Sequence, residues 1–150
     1  MPTDPRNFDS LVKTLVRPSV RLTVEPIDDA IDLALTDSKF GGLPFLEDQR
    51  WPTCNSCSNG LAFICQFNLR TLAPDLTLPF DLFSFFYCHE CMPMSTDDSP
   101  GMWAVRISKL PGTSTAQLPV DGCANEDHHC TPCSVSAARV PSLPDWQDDI

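Results

Sequence analysis

Two Cys-x-x-Cys pairs, Cys54/Cys57 and Cys88/Cys91, flank the two most apolar stretches of the chain, residues 61–69 and 82–87. A two-residue spacer lets both sulfurs of a pair reach one ion, and zinc accepts four soft ligands as a tetrahedron with no d-electron preference of its own. If the apolar stretches are neighbouring antiparallel strands, the chain leaves the first pair along one strand, turns through residues 70–81 and returns to the second pair. Four thiolates then converge at one end of a hairpin. The pattern predicts a Zn²⁺ site made by Cys54, Cys57, Cys88 and Cys91, and with every position of the shell filled by protein the ion is structural, not catalytic.

The remaining cysteines offer less. Cys123, His128, Cys130 and Cys133 form a candidate second zinc shell of three cysteines and one histidine, with His129 as a neighbouring alternative and pairing of Cys130/Cys133 with an earlier cysteine pair still open. A zinc deaminase is excluded, because Pro132 sits inside the pair and no His-x-Glu lies at a suitable distance upstream. Cys65, between Phe63 and Phe67, is expected to be a desolvated, protonated core thiol and not a nucleophile. His89 and Glu90 read as spacers within the Cys88/Cys91 loop. The acidic groups Asp28/Asp29/Asp32, Asp97/Asp98 and Asp148/Asp149 lack the alternation of a calcium loop, and no Ser/His/Asp or paired-carboxylate arrangement stands out.

The elements that must position these residues are short. Phe8, Leu11, Val12, Leu15 and Val16 follow helical spacing up to Pro18, and Val20, Leu22 and Val24 alternate as a half-buried strand. Gly41-Gly42-Leu43-Pro44 requires a tight turn and has no Gly-Lys-Ser/Thr element to cradle phosphate. Leu61, Phe63, Cys65, Phe67 and Leu69 fall on one face of a strand, taken as the core face, with Ala62, Ile64, Gln66 and Asn68 on the other. Residues 82–87 are apolar on both faces, as in a central strand covered on both sides, and residues 102–107 alternate as a third strand. From Leu110 onward, recurrent prolines and glycines predict loop wrapped on the core.

At 150 residues the chain fits one domain, residues 1–150, with its core at 8–108 and a loop-rich region at 109–150. Fifteen prolines, roughly twice the usual share, favour short elements and stiff loops. The formal charge of −10 repels phosphate backbones and anionic lipid, so nucleic acid and membrane are excluded as partners and a basic protein is favoured. The N-terminus has no apolar h-region and no window approaches a membrane span, which reads as cytoplasmic, a compartment where cysteine pairs signify metal and not disulfides.

The ordered string from Ser38-Lys39-Phe40-Gly41-Gly42-Leu43-Pro44 through Trp51-Pro52-Thr53-Cys54, residues 61–69, Leu78-Pro79 and residues 83–88 resembles the YwqG-like family of unknown function over residues 20–108, with a weaker continuation at residues 140–146. The layout is also similar, more distantly, to the programmed-cell-death-two zinc proteins, which are associated with chaperoning a newly made ribosomal protein. The resemblance implies a mixed α+β fold around an antiparallel sheet; together with the residue patterns above, the expectation is α+β, a mostly antiparallel sheet with a short N-terminal helix, zinc-knuckle turns and long Pro-rich loops. Because YwqG-like proteins often continue into a second related half, this chain is expected to be a fragment or a short form. Many also lack the cysteines, so zinc rests on the spacing in this chain.

The function expected on these grounds is a non-catalytic, zinc-stabilised module that binds a basic protein, as a dedicated chaperone or an immunity-type protein does. The alternative is a hydrolase-type enzyme whose cleft is completed by a second half or by dimerisation.

Overall fold

The structure is a computed structural model and describes residues 10, 12–27, 33–47, 50–93, 101–111 and 130–143. A helical segment at residues 12–15 (α1) leads into β1 (Arg17–Pro26). There follow β2 (Lys39–Phe40), β3 (Ala62–Asn68), α2 (Leu69–Leu72), β4 (Leu82–Tyr87), β5 (Trp103–Ser108) and β6 (Cys133–Ser142). The strands form one sheet in the order β1-β6-β2-β3-β4-β5, antiparallel at every pairing.

The expected α+β class is therefore corrected. Of the described residues 44% are strand and only 9% helix, the latter in two short helices, so the fold is an antiparallel sheet. Helical spacing around Val12 and Leu15 produces little more than a turn before Pro18, and the aromatic and β-branched stretches that dominate the centre of the chain fit a pleated surface better than a helix. Phe8 and Leu11 of that pattern lie outside the described residues, and Val16 follows the helix as an exposed residue.

A second correction concerns the C-terminal region. Cys133–Ser142 is not loop but a ten-residue strand, inserted between β1 and β2. Its small and polar residues carry no alternating signal, and its pairing with β1 spans more than a hundred residues of sequence, from Arg17 opposite Ser142 to Pro26 opposite Cys133. Because β2 meets β6 only at Ser134 and Cys133, most of β1 and β6 forms a two-stranded ribbon. Val20, Leu22 and Val24 are 36–45% exposed there, in place of the half-buried face that their alternation suggested.

A third correction lies within β3. The register with β4 shifts between Phe63, opposite Phe86, and Cys65, opposite Phe85, making Ile64 the extra residue of a β-bulge. The bulge moves every later side chain to the other face. Phe63, Gln66 and Asn68 consequently share the buried face with Leu82, Ser84 and Phe86, while Cys65 and Phe67 join Phe83 and Phe85. The carbonyl of Ile64 accepts from Gly41 N at 3.0 Å, so the bulge is held by the turn beside it.

The buried face has two halves. At one end Leu46, Leu61, Phe63 and Phe86 pack with Cys54 and Cys88, and Phe86 meets the rings of Trp51 and Phe63 at centroid distances of 5.5 Å. At the other end Gln66, with no exposed surface, satisfies its full hydrogen-bonding capacity. Its Oε1 accepts from Phe45 N at 2.7 Å and Ser84 Oγ at 3.2 Å, and its Nε2 donates to Leu35 O at 2.8 Å and Asp37 O at 3.0 Å. Asn68 adds a bond from its N to Ser38 Oγ and another from Nδ2 to Thr36 O, fastening the irregular segment 34–38 to the sheet. The opposite face of β4 is half-buried, not covered, with Phe67 and Phe83 stacked at 6.3 Å.

Candidate metal centre

The β3–β4 hairpin brings the two cysteine pairs to the same end, because Ala62 faces Tyr87 and each pair lies just beyond that rung. The two loops are built alike. In the first, Ser58 N donates to Cys54 O at 2.9 Å and Ser58 adopts a φ of 64°; in the second, Met92 N donates to Cys88 O at 3.0 Å with a φ of 43°. Left-handed backbone disfavours both residue types by about 1–2 kcal/mol, so each knuckle is held by its surroundings and not by local preference. No sequence signal marks these two positions, since neither is glycine or asparagine.

Sulfur geometry follows from that repetition. Cys54 Sγ lies 3.8 Å from Cys91 Sγ, Cys57 Sγ lies 3.6 Å from Cys88 Sγ, and all four sulfurs fall within 4.8 Å of one another. A tetrahedron with metal–sulfur bonds of about 2.3 Å has edges of about 3.8 Å, so the four positions fit the shell of a single ion. All four are free thiols. Cys54 and Cys88 are buried against Leu61 and Phe86, while Cys57 and Cys91 are half-buried. Ser56 N points at Cys54 Sγ and Cys91 N at Cys88 Sγ, each at 3.4 Å, so backbone dipoles already favour negative sulfur.

The thiols hold their protons unequally. Burial pushes Cys54 up, but the N–H groups of Cys57 and Ser56 and the thiols of Cys88 and Cys57 outweigh it and bring Cys54 down to about 7. Burial is the largest influence on Cys88 as well, and with the neighbouring sulfurs it overcomes the pull of Cys91 N and raises that thiol to about 12. A metal ion loading this site must displace protons, so its affinity rises with pH.

The knuckle is also tied to the far edge of the sheet. Asn55, in the Cys54/Cys57 spacer, donates its backbone N to Gly101 O at 3.1 Å. Gly101 has a φ of +77°, a backbone conformation that favours glycine, and a Cβ there would also force the Asn55 side chain to move. Cys65 is buried, away from the cluster, and burial followed by the charge of Cys130 pushes its thiol up to about 11, as suits a core residue and not a nucleophile. The ring of His89 packs edge-on against Tyr87 at 5.5 Å. Of the second candidate group, Cys123 and His128 lie outside the described residues. Cys133 opens β6, its Sγ directed at Thr131 O at 3.3 Å, with Cys130 half-buried nearby.

No described helix is long and apolar enough to cross a membrane. The model of the domain of unknown function DUF1963 matches residues 38–149, from the start of β2 through β6 and well over half of the chain. The chain belongs to the DUF1963 family. Within it the matched segment holds both knuckles and the whole β2–β5 part of the sheet, whereas β1 lies ahead of the match although it pairs with β6 along its entire length. A search among curated proteins finds no match.

Proposed function

We propose that Cys54, Cys57, Cys88 and Cys91 hold one structural Zn²⁺ and that the sheet clamped by it is a non-catalytic protein-binding module for a basic partner. The observation that carries the metal is the convergence of four sulfurs within 4.8 Å of one another, enough soft ligands to fill a tetrahedral shell without water or substrate. The formal charge of −10 supports the choice of a basic partner through long-range attraction. The resemblance of the motif order to the programmed-cell-death-two zinc proteins favours a chaperone-like role, with an immunity-type binder as the related reading, in a reducing, cytoplasmic setting.

Elemental analysis of the purified protein tests the metal directly. One zinc per chain is expected. Cys54→Ser and Cys88→Ser should each abolish it, while Cys65→Ser keeps it; a count of two would add a shell at Cys123, His128, Cys130 and Cys133. Iron, which also takes four thiolates, would announce itself by visible absorption and overturn the zinc assignment. For the partner, binding to basic but not acidic proteins of similar size, weakening as salt rises, is expected, and turnover of a small substrate would favour an enzyme instead.

A further inference from the structure

An open cleft of about 730 Å³ lies between the first knuckle and β5. Arg50, Thr53 and Asn55 line one side, and four consecutive residues of β5, Trp103 to Arg106, line the other. Consecutive residues point to alternate faces, so the cleft follows the outer edge of the strand and not one side of the sheet. That edge has no partner strand among the described residues, since β5 ends the strand order. Met102 O and Ser108 O accept from β4-side amides, Cys88 N and Asp81 N, which by alternation turns the N–H and C=O groups of Trp103, Val105 and Ile107 outward. Arg106 folds over this edge, its Nη1 donating to Val105 O at 3.3 Å.

Three features of the cleft lack a counterpart. Arg50 and Arg106 have no carboxylate partner among the described residues, in a chain with twice as many acidic as basic side chains. The indole Nε1 of Trp103 is buried and without a hydrogen-bond partner. Apart from Val105 O, which accepts from Arg106, the outward ladder groups of β5 have no partner among the described residues. Two guanidiniums call for an anion, and the ladder calls for a peptide backbone.

We propose that this cleft binds an extended acidic peptide segment, which adds a seventh strand along β5 and places a glutamate or aspartate carboxylate between Arg50 and Arg106. The site differs from the metal centre and rests on the metal only in that the first knuckle carries Thr53 and Asn55. It is compatible with a partner that is basic overall, because long-range charge brings the partner in whereas one acidic strand makes the contact.

Fluorescence anisotropy of a labelled peptide of alternating threonine and glutamate tests this on the metal-loaded full chain, beside the same peptide with glutamine or lysine in place of glutamate. The glutamate peptide should bind at least ten-fold more tightly than either. Arg50→Gln with Arg106→Gln should remove that preference while metal content stays unchanged, which separates this site from the zinc reading. Val105→Pro, which deletes one outward N–H at an edge that tolerates proline, should weaken the glutamate peptide at least ten-fold. Equal binding of the three peptides, an unaffected arginine double variant, or competition by free glutamate or inorganic phosphate as strong as by the unlabelled peptide would overturn the proposal.

Discussion

Gln66 shows how one side chain can organise a fold without taking part in its chemistry. Two donors and two acceptor sites meet four partners from three separate segments. Gln66→Leu would leave Phe45 N–H and two carbonyls buried without partners, and a destabilisation of about 3 kcal/mol is expected from urea unfolding. Lys39, 2% exposed, is its neighbour in this network, with Nζ donating to Ala34 O at 3.0 Å and Leu35 O at 3.1 Å. Burial, partly offset by Asp37, lowers its pKa to about 8. The unfolded chain keeps that proton up to about pH 10.4. Between those limits the unfolded state binds more protons, so stability due to this residue rises with pH and its burial penalty is fully present below about pH 8. Urea midpoints taken from neutral to alkaline pH should climb less steeply in Lys39→Met than in the natural chain, the difference isolating Lys39 from the thiols.

At the scale of elements, the turn at Gly41 and the bulge at Ile64 act as one device. Gly41 has a φ of +60°, its N bonds to Ile64 O, and a Cβ at that position would lie 2.2 Å from Cys130 O. The obstacle is backbone, which cannot rotate away. Gly41→Ala is therefore expected to cost at least about 2 kcal/mol and to loosen the junction of β2 with β6, measured as a lower unfolding midpoint and faster amide exchange at Ser134. A similar staple closes the other side of the sheet, where Asp81 accepts from Arg70 Nε at 2.8 Å and from Leu110 N at 2.7 Å. The Arg70 guanidinium holds the Asp81 carboxyl below the usual carboxylate range.

Across the whole molecule, stability is unevenly distributed. The knuckle end of β3 and β4 combines the aromatic core with four thiols, while the β1–β6 ribbon buries little. A structural zinc in the proposed site would contribute on the order of 10 kcal/mol, comparable to the net stability of a domain. Chelation should therefore strip amide-exchange protection from Phe63, Phe86 and their neighbours. The outer rungs of the ribbon, at Arg17 and Ser19, should exchange quickly with or without metal, because few buried contacts resist their opening. Uniform loss of protection throughout the chain would show that the metal governs global folding and not this end alone.

The cysteine pairs, the hairpin between them and the burial of Cys65 were legible in the residues alone, since a ligand spacer and an apolar run are local properties that survive any arrangement of the rest. Strand β6 was not, because its small, polar residues acquire their conformation from β1 and β2, which lie far away in the chain. Nor was the placement of Gln66 and Asn68 in the core: strict alternation assigns them to the polar side, and a single inserted residue at Ile64, held by an amide from another segment, reverses that assignment. The cleft beside β5 likewise needs Arg50 and Arg106, fifty-six positions apart, to be brought to one edge. Periodicity reads what neighbouring residues share, whereas register, bulges and edges arise only when distant strands meet.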